Sequence, residues 1–279
     1  MYRARKARND DLASHTGSTT IVSGVQAETI KLMDDNHGQY IYAITTDDVV
    51  IGEGLLGLGA APVRLIASDG LAAIVSEMNR PKVRPERRNL AAHMQVIKKL
   101  MEDTTVLPLA FGMVAADLES VGALLRRNHD VLEEQLEGVA GRVEMGLRIR
   151  WDVANVFDYF VATRPDLRAA RDNLGDVREA SRDQRIALGR FFEEVINDER
   201  ERIFAEVSAV FERYGVDLRR NPPRDEKEAL NLACLVERSR HEDFDRAVGD
   251  AASSFDASYT FGVSGPWAPS SFVDFTLEV

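Results

Sequence analysis

Residues 143–153 read VEMGLRIRWDV, a strand-like run around which the second half of the chain organises itself. After it, Val153 to Arg164 has the pattern of a short helix that Pro165 ends. A charged stretch from about Asp176 to Tyr214 follows, with Leu188, Phe191, Val195, Ile203, Val207, Val210 and Tyr214 near one stripe. At about 1.5 Å per residue this is a helix roughly 50 Å long. VDLRR (216–220) and NLACLVER (231–238) are candidate strands, His241 to Phe255 a helix, and SYTFGVS (258–264) the last strand. Strand, helix, strand, strand, helix, strand is the ferredoxin-like plan, βαββαβ, with both helices on one face of an antiparallel sheet. The order comes from pattern, and its closure into that fold from analogy.

The first half is mixed as well. QYIYAIT (39–45) predicts a strand with Tyr40 and Tyr42 on one face and Ile41 and Ala43 on the other. Asp69-Gly70 splits RLIAS from LAAIVSE, the signature of a tight hairpin. Leu90, Met94, Ile97 and Leu100 mark an amphipathic helix from about Glu86 to Glu102. TVLPLAFG (105–112) reads as a short buried strand interrupted by Pro108, and Leu118, Val121, Leu125, Leu132, Leu136 and Val139 predict one further helix up to Gly138 or Gly141. The fold class expected is therefore α+β with two domains, the C-terminal one ferredoxin-like with a long helix and a C-terminal tail. The boundaries expected are a mobile extension over 1–37, an N-terminal α+β domain over 38–141, the ferredoxin-like domain over 142–264 and a docked tail over 265–279.

The tail is the clearest anomaly. In FGVSGPWAPSSFVDFTLEV (261–279), Gly265 and Pro266 are expected to stop the last strand, since proline lacks the N–H a ladder needs. Trp267, Phe272, Val273, Phe275 and Leu277 then follow, too apolar for a frayed terminus. They are expected to lie in a groove of the same molecule or of a partner, which makes Trp267, Phe272, Val273 and Phe275 the candidate partner-binding residues.

Together with LVER at Leu235, VEMGLRIRWD from Val143, VLPLAFGMV from Val106 and YIYAIT at Tyr40, this ending resembles the gas vesicle protein family GvpF/GvpL. The likeness runs in order from about Tyr40 to Val273. The combination of SGPW, SFV, LVER and LPLAFG carries its specificity, and it departs from the family at Ala268 and Ser270, where a proline and a tyrosine are common. The resemblance implies an α+β C-terminal domain and a non-enzymatic accessory protein of gas vesicle assembly, located in the cytoplasm or on the vesicle. It also implies the partners: the very hydrophobic shell protein GvpA and other accessory gas vesicle proteins, bound so that aggregation is prevented during nucleation. A minor component retained on the vesicle is a second role compatible with it, and an enzyme or small-ligand binder on a ferredoxin-like scaffold is the alternative from another class.

Composition bounds these readings. Across 279 residues, 44% hydrophobic and 29% charged content is ordinary for a globular protein, and no apolar run is long enough to span a membrane. A net charge of −11 argues against nucleic acid as the main partner. Cys234 is the single cysteine, so no internal disulfide can form and a reducing compartment is expected, with the thiol a buried small hydrophobe. MYRARKARND lacks the apolar segment of a signal peptide.

The chemical motifs are decoys. Gly52, Gly54 and Gly57 form G-x-G-x-x-G, with Glu77 beyond, yet Pro62 ends any helix that could hold a pyrophosphate. His15, His37, His93, His129 and His241 lack metal-ligand spacing, and His93, beside the apolar stripe, is expected to be a hydrogen-bonded core or boundary residue. Cys234, Glu237 and His241 are not one helix face, and the carboxylates of EEVINDERERIFAE alternate with arginines as a solvated face. No catalytic residue, cofactor or metal is expected.

Overall fold

The computed structural model describes residues 38–52, 54–79, 82–175 and 180–278. The extension expected over 1–37, with His15 and His37, lies outside the described residues. The chain is α+β, and its described residues divide into two compact units. One comprises 38–144, Leu235–Ser239 and 265–278; the other comprises Met145–Cys234 and Arg240–Ser264.

In the first unit the strands are β1 (Gly38–Thr46), β2 (Val63–Ser68), β3 (Leu71–Met78), β4 (Leu107–Pro108) and β5 (Val114–Ala115). Their order is β2-β3-β1-β4, with β5 also paired to β1. β1 and β3 are central and buried on both faces, which is why YIYAI and LAAIV carry no polar alternation. The hairpin at Asp69-Gly70 forms with Ser68 opposite Leu71, and both turn residues take positive φ, 53° and 83°. The alternation expected along β1 breaks, because the register slips between Ile41 and Ala43. This bulge returns Ala43 to the cluster of Tyr40 and Tyr42 and leaves Ile44 with Ile41 on the other face.

Helix α1 (Arg87–Leu100) covers the tyrosine face through Val96, Ile97 and Leu100. Its expected stripe is partly corrected: His93 and Val96 are inside, whereas Leu90 and Met94 are exposed, so the buried face is rotated by about one position. The opposite face is covered by α2 (Leu118–Arg127) and α3 (His129–Gly138). These were expected as one helix. Asn128, at φ −107° and ψ 15°, leaves the helical region and separates them.

The second unit holds most of β6 (Arg142–Trp151), β7 (Asp217–Arg220), β8 (Glu228–Glu237) and β9 (Tyr259–Trp267), ordered β7-β8-β6-β9. Pro165 ends α4 (Val156–Thr163) and also opens α5 (Pro165–Asn173), since its missing N–H costs nothing in a first turn. The long helix α6 (Arg182–Arg213) starts at a capping box, with Ser181 Oγ accepting from Gln184 N and Gln184 Oε1 accepting from Ser181 N. Its 32 residues span about 48 Å, and Val195, Ile203, Val207 and Val210 are buried as expected. Arg202 lies between Glu199 and Glu206 and pairs with both, at i,i+3 and i,i+4 spacing. Helix α7 (His241–Ala252) packs on it, with Phe211 and Phe244 rings 5.9 Å apart and the Tyr214 hydroxyl donating to Asp250 at 2.7 Å. Cys234 is buried in β8.

Gly265 and Pro266 do not stop the last strand. β9 runs through both, with Gly265 at φ 115° and the Gly265–Pro266 peptide cis. It is an edge strand, which admits glycine and proline that a central strand would not.

Candidate functional site

Beyond β9 the chain makes a 3-10 turn at Ser270–Phe272 and then runs extended along α2 and α3. Val273, Phe275 and Leu277 are buried and Asp274, Thr276 and Glu278 exposed, a strand-like alternation without an assigned strand. The buried three join the cluster of Val121, Leu124, Leu125, Leu132, Leu136 and Val139, and Phe272 packs against it half-buried.

A chain lying this way leaves backbone groups that need partners. Side chains supply them. Glu144 accepts from Ser271 N at 2.7 Å and from Ser271 Oγ at 2.9 Å. Gln135 Oε1 accepts from Asp274 N at 2.9 Å. Asn128 does most: its Oδ1 accepts from Glu278 N at 2.7 Å, while its Nδ2 donates to the Glu278 carbonyl at 2.9 Å and to the Leu124 carbonyl at 2.8 Å. The residue that breaks the expected single helix is thus the one that grips the tail at two backbone atoms. Asn128, Gln135 and Glu144 were not singled out in the sequence. The available signal was a turn- and cap-prone asparagine inside an apolar helical period.

Of the four candidate partner-binding residues, Val273 and Phe275 are inside this chain, Phe272 is half-buried, and Trp267 keeps 39% of its surface exposed. Trp267 was expected to be docked. It sits at the outer end of β9, before the buried stretch starts at Ala268, so only the segment after it reaches the helices. A second apolar surface lies on α1, where Leu90 and Met94, one turn apart, stand exposed beside Arg87 and Lys98.

His93, Tyr40, Tyr42 and Tyr259 are displaced by burial in packed interiors. Burial lowers His93 to about 4, opposed by a hydrogen bond with the Leu109 backbone. Its Nδ1 is 3.0 Å from the Tyr40 hydroxyl, which itself accepts from Gly112 N, and burial raises Tyr40. His93 is therefore the hydrogen-bonded core residue expected. Burial also raises Tyr42, whose hydroxyl bridges Leu58 N and Ser76 Oγ at 2.8 Å each. Gly57, the last glycine of the decoy motif, is there to let Tyr42 approach, since a Cβ on it would lie 2.0 Å from the hydroxyl. The motif opens a 3-10 turn of three residues, Leu58–Ala60, and not a helix.

In the other unit the buried polar cluster is a clamp on Trp151. The Arg200 guanidinium lies over the indole at 5.6 Å and donates to the Glu228 carbonyl at 3.2 Å. The Tyr259 hydroxyl donates to Glu199 at 3.1 Å, and burial raises its pKa. An open cleft of about 560 Å³ in the first unit is lined by Thr46, Asp48, Thr104, Thr105, Glu137 and their neighbours. Among the described residues no group of three or more His, Cys, Asp or Glu could hold a metal ion, and no helix is long and apolar enough to cross a membrane.

The family model described as gas vesicle synthesis protein GvpL/GvpF matches residues 38–274. The chain is similar to gas vesicle protein F of Streptomyces sp. (strain CB03234), 27% identical over 238 residues that make up 84% of this chain and 99% of the relative. Gas vesicle protein L of the same strain is 29% identical over 282 residues, 88% of this chain and 96% of the relative. The crystal structure of gas vesicle protein GvpF from Anabaena sp. PCC7120 superposes with a TM-score of 0.74 at 27% identity, covering 85% of this chain and 98% of that one.

Proposed function

We propose that this chain, which belongs to the gas vesicle synthesis protein GvpL/GvpF family, is a non-enzymatic assembly factor that binds the hydrophobic shell protein GvpA and keeps it from aggregating during nucleation. The observation that carries the reading is an aromatic presented from an anchored tail. Val273, Phe275 and Leu277 are sunk in the chain's own core and Asn128 holds the Glu278 backbone, while Trp267 remains exposed and Phe272 half-exposed. Tryptophan, with tyrosine and arginine, is enriched among the residues that anchor protein interfaces. In this reading Trp267 and Phe272 touch the partner, and Val273 and Phe275 act by holding them in place. The exposed Leu90 and Met94 add a second apolar surface for a shell subunit or another accessory gas vesicle protein. Placement in the cytoplasm and on the vesicle follows from the same reading.

The test is co-expression with GvpA. The chain should hold GvpA in the soluble fraction and co-purify with it, and GvpA that precipitates equally with and without the chain would overturn the proposal. Assaying mature vesicles for the chain then separates a transient chaperone from a retained component.

We also read residues 142–264 as a ferredoxin-like C-terminal domain beside an N-terminal domain over 38–141 and a tail from 265. Support comes from the strand order β7-β8-β6-β9 and from α6 and α7 packing on each other as two crossovers of one face would. A crystal structure with α6 and α7 on opposite faces of that sheet would contradict it.

A further inference from the structure

We infer that the outer edge of β9 is a strand-addition site for an extended, uncharged segment of the hydrophobic shell subunit, an inference that rests on the shell-binding reading above. Among the described residues β9 has a single strand neighbour, β6. Asp152 N donates to the Ser258 carbonyl at 2.7 Å, a Cβ on Gly262 would meet the Arg148 carbonyl, and one on Gly146 would meet Ser264. Partner numbers fall as β9 rises, so the pair is antiparallel, and the even-numbered residues turn their backbone to β6. Phe261 and Val263 therefore turn N–H and C=O outward.

The two edges of this sheet are built differently. β7 is four residues, Asp217–Arg220, three of them charged, the usual guard against edge pairing. β9 is nine residues, Tyr-Thr-Phe-Gly-Val-Ser-Gly-Pro-Trp, with no charge, in a chain of which 29% is charged. Every residue of β9 keeps at least partial exposure, whereas β8 is buried from Glu228 to Val236. Phe261, its ring 5.4 Å from Phe255, lies half-buried on this edge strand, beside any apolar side chains that an added strand would bring. A second copy of this chain is disfavoured as the occupant, since each copy carries −11. An uncharged strand of a partner meets no such repulsion, and its backbone finds the outward groups of Phe261 and Val263.

The experiment is GvpA co-purification with Val263→Pro, which removes an outward N–H and leaves the β6 ladder intact. Val263→Ile serves as the control. The proline variant should melt like the wild type and capture about tenfold less GvpA or worse, with the isoleucine variant unchanged. Wild-type capture by Val263→Pro overturns the strand inference and leaves the shell-binding reading standing, whereas no capture by the wild type overturns both. Self-association of the wild type that Val263→Pro abolishes makes a second copy the occupant and also overturns it. Should the proline variant misfold, amide hydrogen exchange of the wild type decides: Phe261 and Val263 amides should slow when GvpA is bound, and unchanged exchange there counts against the inference.

Discussion

β9 and the tail after it are neighbours in sequence and similarly apolar, yet they solve opposite problems. β9 has a strand partner and keeps its residues partly exposed, while residues 273–278 have no assigned strand partner and bury every second side chain. Backbone pairing and burial are thus separate: the sheet holds β9 by pairing along one edge with its side chains only partly covered, and the helices α2 and α3 hold the tail by apolar contact plus three polar side chains. A segment held by pairing at one edge remains available to a partner. A segment held by burial belongs to the fold.

The comparison breaks most visibly at Phe275. Phe275→Ala removes a ring from a closed cluster and should cost about 3–4 kcal/mol, a fall in melting temperature of about 10 °C. A variant that melts like the wild type would mean that the tail is not part of the core. Acid sharpens the picture, because the unit that holds the tail also buries neutral His93. Its folded pKa is about 4 against an ordinary 6.5, so unfolding takes up a proton between those values. The stabilisation is complete above pH 6.5 and is lost as pH falls toward 4, a change of about 2–3 kcal/mol. Melting followed over that window should show the slope in the wild type and a flatter one in His93→Gln.

Asn128→Ala should cost about 1–2 kcal/mol, since the Glu278 backbone would lose both its partners. Amide exchange at Glu278 should accelerate in that variant while the amides of β9 stay as they are. Trp267→Ala should cost less than about 1 kcal/mol, because the ring is only partly covered. A loss as large as that of Phe275→Ala would erase the distinction between the two segments.

Much of the fold was legible because its signals are local. Asp69-Gly70 announces its hairpin, the apolar stripe from Leu188 to Tyr214 its long helix, and VEMGLRIRWD its strand. The misses share a cause: they depend on what an element packs against. Leu90 and Met94 fit a helical period as well as Val96 does, and only the sheet beneath decides which face turns inward. Pro266 reads as a stop unless the strand is known to lie at an edge. For the site, the apolar tail was legible and its grip was not, since Asn128, Gln135 and Glu144 meet it across separations of 150, 139 and 127 residues.

The measurement that bears most directly on the account is GvpA capture by Trp267→Ala, read beside its melting curve. The account expects a variant that melts within a few degrees of the wild type and captures markedly less GvpA. Full capture by a well-folded Trp267→Ala would contradict it, because the exposed ring at the head of the anchored tail would then have no part in binding.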